Sequence, residues 1–455
     1  MKKSLIALAA LAATSAFAQS SVTLYGRAEA GVDLGYRSTT TGSFNDVSVV
    51  GGVVQPATPA STGNVGGATS KPGFRVQDGN NQGLGSSRFG MRGTEDLGGG
   101  LKANFVLEAG LNLDDGSTGN GGGNFFSRSA WVGLSGGFGE VRLGRQTLGS
   151  FGVHANGLAL GAASGLYETG ATIAQGGVRF SNAIQYRSPD FGGISGTVSL
   201  SAPENNSNLS AIISPTQTQT LSTSGKTGLD LSIAYANGPI YVGFGYNKTN
   251  TTRSFNNGLA GAANVQTTSS GPRTDFSLSA SYNLGVAQPF FSYVNRKDTS
   301  TLSRSTGGVV DLIGGTSLES AAVAAVAAAP GFPAVPAALA SPNANTKGSQ
   351  YALGVKVPLG AATLVTSFGS HKTTGSANTL GNGANFSVER KVRAFQIGGL
   401  YSLSKRTTLM ANYGINNLKD NVLETTLIGP TAGSTFRDTT ETKQRGLNFG
   451  VQHLF

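Results

Sequence analysis

From Val22 to Tyr36 the chain changes character at every residue. Val22, Leu24, Gly26, Ala28, Ala30, Val32, Leu34 and Tyr36 share one parity; Thr23, Tyr25, Arg27, Glu29, Gly31, Asp33, Gly35 and Arg37 share the other. One face is small or apolar, and the other bears charge. A period of two belongs to a β-strand, whose side chains point to opposite faces in turn. The pattern returns in residues 229–235, 240–246, 276–284, 351–359, 395–403 and 409–415, and again at Leu447, Phe449, Val451, His453 and Phe455. Segments of about ten residues with one apolar and one polar face, bounded by turn residues, mark a transmembrane β-barrel. A soluble sandwich strand alternates too, with its polar face in bulk water.

Composition removes the main competitors. Hydrophobic residues make up 38% and charged residues 12%, while Gly fills 68 of 455 positions. A large apolar core is poorly supplied, and low charge with many aromatics does not fit a disordered chain. The absence of Cys excludes disulfides and thiol-based metal or redox sites. Lys2 and Lys3, the short apolar run 5–13 and Ala16-Phe17-Ala18 read as a cleaved export signal over residues 1–18. Residues 19–455 then form one barrel domain.

The turns count the strands. Short connections rich in Gly, Pro and Asn are expected at 97–100, 136–139, 189–193, 237–239, 283–285, 358–360 and 402–406. Outer-membrane barrels have both termini and all short turns on the periplasmic side and long loops outside. Seven short turns and eight long loops join sixteen strands, enough to enclose an aqueous lumen. The expected fold is therefore a 16-stranded antiparallel transmembrane β-barrel whose third outer loop, 146–178, folds inward. Residues 38–85 read as an extended first outer loop. Residues 319–340 are Ala- and Val-rich, but Pro330, Pro333 and Pro336 make them a loop rather than a membrane span.

Chemistry is sparse. The chain has three His, and no HExxH, GxSxG or phosphate-loop motif. No enzyme, catalytic residue, metal, cofactor or nucleic-acid partner is expected. Candidate inward-facing cations are Arg27, Arg37, Arg88, Arg92, Arg128, Arg179 and Arg187, and the acidic residue of the third loop is Glu168. Each Arg either lines a pore or pairs with a wall carboxylate, Arg27 with Glu29 or Arg92 with Glu95. Arg145 shares the parity of Val141 and Leu143, which suits a structural or subunit-interface role. Trp131 fits either face. Arginines in a narrow lumen concentrate anions and repel cations, so an anion-leaning passive path for small ions and hydrophilic solutes is expected. The rivals are a substrate-specific channel, a barrel hydrolase and a closed adhesive barrel; the Ser, Gly and Asn of the inward parity lack the aromatic row of a sugar channel.

Residues 20–35 (SSVTLYGRAEAGVDLG), 86–110 (SSRFGMRGTEDLGGGLKANFVLEAG), 128–146 (RSAWVGLSGGFGEVRLGRQ), 182–193 (NAIQYRSPDFGG), 401–414 (YSLSKRTTLMANYG) and 450–455 (GVQHLF) carry a family resemblance. The chain resembles a Gram-negative trimeric general porin of the neisserial, Burkholderia and Comamonas type. That resemblance implies a homotrimer in outer-membrane lipid, with basic residues facing an acidic third loop. It places the constriction arginines on Arg27, Arg88, Arg128 and Arg179, and the acidic loop position on Glu168. It also implies that the barrel-assembly machinery reads the terminal Phe455. Trimer contacts would use outward apolar residues such as Leu24, Leu34 and Phe89.

Overall fold

A computed structural model describes residues 21–47, 49–50, 53–54, 74–78, 86–119, 124–160, 178–202, 207–214, 217–256, 266–305, 343–378, 385–427 and 433–455. The expected export signal and the stretch 319–340 lie outside the described residues. Sixteen strands form the wall. The first seven are β1 (Ser21–Val47), β2 (Arg88–Gly98), β3 (Leu101–Leu111), β4 (Ser129–Gly136), β5 (Gly139–Thr147), β6 (Arg179–Arg187) and β7 (Ile194–Ser201). They continue as β8 (Gln217–Asn237), β9 (Ile240–Asn256), β10 (Gln266–Tyr282), β11 (Gln288–Ser305) and β12 (Asn343–Leu359). The circuit ends with β13 (Ala362–Asn378), β14 (Asn385–Ser402), β15 (Thr407–Leu427) and β16 (Gly433–Leu454). Each pairs antiparallel with the next, and β1 pairs with both β2 and β16, which closes the barrel.

All seven short connections fall where the turn residues put them. Gly98, Gly99 and Gly100 have φ of 85°, 60° and 81°, the left-handed region that side chains with a Cβ avoid. The first outer loop is shorter than expected at its start. Residues 38–47 belong to β1 and pair with β16 from Ser38↔Gln444 to Val47↔Thr435, and Arg75–Asp78 adds a short strand against Ala30–Asp33. Above the membrane both faces of a strand meet water, so pairing persists there without an apolar alternation to announce it.

The rim of this wall is uneven. β2 to β7 run eight to eleven residues, whereas β8 and β15 run 21, β16 runs 22 and β1 runs 27. The closing seam is held at its turn end by reciprocal backbone bonds, Gly26 N to Phe455 O at 2.9 Å and Phe455 N to Gly26 O at 3.1 Å. The Phe455 ring lies over Gly26, where any Cβ would overlap it. Inside the seam, buried Glu29 accepts from Gln452 Nε2 at 2.7 Å. His453 is exposed and pairs with Thr407 Oγ1 at 2.9 Å. Gly26→Val is expected to destabilise the barrel by about 1–3 kcal/mol through overpacking at the seam. Urea titration of the protein folded in lipid vesicles checks this, and an unchanged midpoint would contradict it.

Candidate functional site

Parity and burial together separate the two faces. Ile233 is exposed while Asp230 is buried, and the same contrast holds between Phe244 and Asn247 and between Leu278 and Ser279. The buried parity faces inward. Its small residues form a seat. After Thr147 the chain turns into α1 (Gly149–Asn156), which lies against β7 to β11. Its N-cap, Leu148, has no side-chain hydrogen bond. The wall supplies the missing acceptor: Asp230 on β8 takes the Ser150 N–H at 3.2 Å and the Ser150 hydroxyl, and Asn247 donates to the same carboxylate at 3.2 Å. A carboxylate on the first N–H groups of a helix favours both hydrogen bonding and the helix dipole.

The last turn is held too. Buried His154 sits 2.7 Å from Ser292 Oγ through Nδ1. Farther on, Ala159 and Leu160 pack with Phe290 of β11 and Val365 of β13. Residues 149–160 therefore lie on the inner wall from β7 to β13. Glycines permit the close approach: a Cβ on Gly245 would come 2.7 Å from Ser150 Cα, and one on Gly354 would come 2.7 Å from Ala159 Cβ. At the far side, the β5–β6 register slips between Phe180 and Ala183, with Asn182 at a φ of 49°. This bulge lets both Phe180 and Ala183 bury against Leu148, although simple alternation would separate them.

The charged tier occupies the other side. Arg27 and Arg88 are cross-strand partners, and Arg88 pairs across β3 with Gly110. Glu108 of β3 is the hub. It accepts from Arg128 Nε at 2.6 Å and from the Tyr25 hydroxyl at 3.0 Å, and Arg88 Nη1 lies 3.8 Å away. Arg128 also donates to Ser86 Oγ at 2.6 Å. Although Arg128 precedes β4 rather than belonging to it, its side chain turns into the tier. Arg179, the first residue of β6, feels the charges of Arg128, Arg145, Glu108 and Arg88, and Arg27 feels those of Glu29, Arg128 and Glu108. Four sequence-expected arginines thus share one region. Glu168, the expected acidic counterpart, lies outside the described residues, as does the Arg37 side chain.

Other expectations separate. Arg92 sits over the Tyr25 ring at 5.3 Å instead of pairing with Glu95, because residues three apart in a strand point to opposite faces. Trp131 is buried on the inward face, with the Arg142 guanidinium 4.0 Å over its ring and Glu140 bonded to Arg142 at 2.6 Å. Arg187 feels both of those charges. Arg145 donates to Ser127 O and Ser181 Oγ, each at 2.7 Å. Sequence reasoning missed Glu108, Asp230 and a further set on the inward parity: Asp275 flanked by Arg273 at 3.3 Å and Arg296 at 4.0 Å. The signal was present, since Glu108 continues the Asn104, Val106 parity and Arg273 that of Asp275 and Ser277. Among the described residues no group of three or more His, Asp or Glu could hold a metal ion.

Comparison with known proteins agrees with this architecture. A family model described as Gram-negative porin matches residues 4–421. Outer membrane porin protein 32 of Delftia acidovorans is 34% identical over 299 residues, which cover 63% of this chain and 68% of that protein. An outer membrane porin of Bordetella pertussis is 29% identical over 418 residues, covering 91% of this chain and 94% of its own. Among solved structures, the anion-selective porin from Comamonas acidovorans matches with a TM-score of 0.53 at 22% identity, covering 96% of this chain and 100% of that one. The chain belongs to the Gram-negative porin family and is an integral β-barrel of the outer membrane.

Proposed function

We propose that the lumen is a passive diffusion path for small hydrophilic solutes that favours anions, with Arg27, Arg88, Arg128 and Arg179 as its charge filter. The observation that carries this is that Arg88 and Arg128 share one carboxylate, Glu108, while Arg27 and Arg179 lie near enough to feel the same charges, with Glu29 the other acid beside them. These four cations against two acids, with Arg145 adding a fifth positive charge beside Arg179, leave a positive excess where a passing ion is partly stripped of bulk water. Opposite this tier, residues 149–160 fill part of the cross-section and set the size limit. Glu168 belongs to the same loop and is proposed to face the arginines. Crossing needs no catalytic step and no cofactor.

Assembly as a homotrimer is part of the same reading. Val22 and Leu24 on β1 are exposed and Leu34 and Phe89 half-buried, so β1 and β2 offer apolar surface for another wall. Residues 1–18 are proposed to be removed on export, and Phe455, exposed at the seam, to be read by the barrel-assembly machinery. Planar-bilayer recordings under a KCl gradient test the function. Three-step conductance with a chloride-favouring zero-current potential is expected. A potassium-favouring potential would reject the arginine filter, and an absence of steps would reject the pore.

A further inference from the structure

The carboxylate at the centre of the arginine tier is gripped from two sides, and only one of them is cationic. Glu108 Oε1 takes Arg128 Nε at 2.6 Å and lies 3.8 Å from Arg88 Nη1, whereas Oε2 takes the Tyr25 hydroxyl at 3.0 Å. Tyr25 stands on β1 and Glu108 on β3, so this bond passes over the whole width of β2. Register shows how. Gly90 of β2 is directly opposite Tyr25 on one side and directly opposite Glu108 on the other. The three form one inward row whose middle member has no side chain, on strands about 4.8 Å apart. A Cβ on Gly90 would come 2.9 Å from the Tyr25 Cζ and hydroxyl oxygen, and 2.7 Å from Leu107 O. The phenol therefore lies across the gap that the glycine leaves. One row nearer the short turns, the Arg92 guanidinium stands 5.3 Å over the same ring, and a cation over a ring face favours keeping the ring there.

Shape alone does not account for this arrangement. A phenylalanine would fill the same space beside Gly90, and the hydroxyl on Oε2 is what shape leaves over. An ionised carboxylate accepts on both oxygens. Arg128 holds one of them and is tied to Glu108 a second time through the backbone, Arg128 N to Glu108 O at 3.2 Å. Among the described residues, Tyr25 is what bonds the other. Without it the carboxylate would be free to pivot about Oε1 into the lumen; with it the side chain stays on the wall, 14% exposed. A bond from a neutral hydroxyl to a carboxylate is charge-assisted, yet it adds no charge of its own.

We infer that Tyr25 is a positioning residue of the charge filter: its hydroxyl, passed over Gly90, keeps the Glu108 charge on the wall and out of the solute path. This role rests on the reading of the arginine tier as that filter. Without the hydroxyl the acid swings toward the path and offsets the arginines more strongly. Carrying one unit charge from about 10 Å to about 7 Å from a passing ion in a water-like lumen changes the chloride-to-potassium ratio about twofold at low salt.

The test measures zero-current potentials and open-channel noise of the full-length protein in a KCl gradient. Wild type, Tyr25→Phe, Glu108→Gln and the double variant are compared, with Arg88→Gln alongside. Tyr25→Phe is expected to lower the chloride-to-potassium ratio about twofold and to raise the noise, with conductance steps intact. The double variant separates positioning from packing. Once residue 108 is neutral, Tyr25→Phe should change nothing further, and the double variant should match Glu108→Gln alone. A merely structural tyrosine would shift both backgrounds alike. An unmoved or raised ratio in Tyr25→Phe, or an equal shift in the Glu108→Gln background, would overturn the inference. If Tyr25→Phe gives no steps, Gly90→Ala, which pushes the ring off its line to Glu108, takes its place with the same expectations. If Arg88→Gln leaves the potential unmoved, the filter reading fails and the role of Tyr25 falls with it. If Arg88→Gln moves the potential while Tyr25→Phe does not, the role of Tyr25 alone is rejected.

Discussion

Arg88→Gln is expected to lower the ratio of chloride to potassium permeability about eightfold at low salt. A unit charge about 7 Å from a passing ion in a water-like lumen contributes about 0.6 kcal/mol, a factor of about three in local concentration. The effect has opposite sign for the two ions, so the ratio changes by roughly the square of that factor. Arg179→Gln should act in the same direction, because both residues lie in one cluster. Glu108→Gln should shift the ratio the other way, since it removes the carboxylate that Arg128 and Arg88 share. Zero-current potentials of the three variants in a KCl gradient check the signs. The differences should shrink in molar salt, where the screening length falls to about 3 Å. If Arg88→Gln and Glu108→Gln moved the potential in the same direction, the charge filter would lie elsewhere.

Gly245→Leu should have the other large effect, through shape rather than charge. Gly245 faces the first turn of α1 so closely that even a methyl group would meet the Ser150 backbone. The wall is a closed sheet and α1 is a short helix seated on it, so the helix is what moves. Its only direction is toward the lumen axis, and single-channel conductance is expected to fall by roughly half as the free cross-section narrows. The overpacking should cost about 1–3 kcal/mol. Selectivity should keep its sign because the arginine tier stands on other strands. Asp230→Ala is the complement: it removes the acceptor for the Ser150 N–H and should make the current noisier without narrowing it. Unchanged conductance in Gly245→Leu would mean that residues 149–160 do not bound the open path.

The wall was legible in the sequence because its determinants are local. A lipid-facing residue must be apolar and its neighbours must not be, so parity fixes each face, and turn residues such as Gly98-Gly99-Gly100 fix each end. The four arginines were legible for the same reason, helped by family resemblance. Glu108 was overlooked because its partners come from β2 and from the residue before β4, a juxtaposition that only the sheet register creates. The seat of α1 was illegible in another way. Gly245, Gly354, Ser279 and Ser292 suit a plain lumen lining as well as a surface cut to receive a helix. The helix itself has no capping residue in its own sequence, because Asp230 supplies that function from some eighty positions away. Arg128 defeats parity because it stands outside the strand.

The oblique rim has a consequence for how solutes arrive. Arg88 and Arg179 are the first residues of their short strands, and Arg128 directly precedes another, so the charged tier lies at the long-loop ends of β2, β4 and β6. In the proposed trimer the low sides adjoin the subunit contacts, while the tall palisade from β8 to β16 turns outward. Three such walls would enclose one antechamber above three separate gates. A solute turned away at one gate would already stand at the threshold of the next.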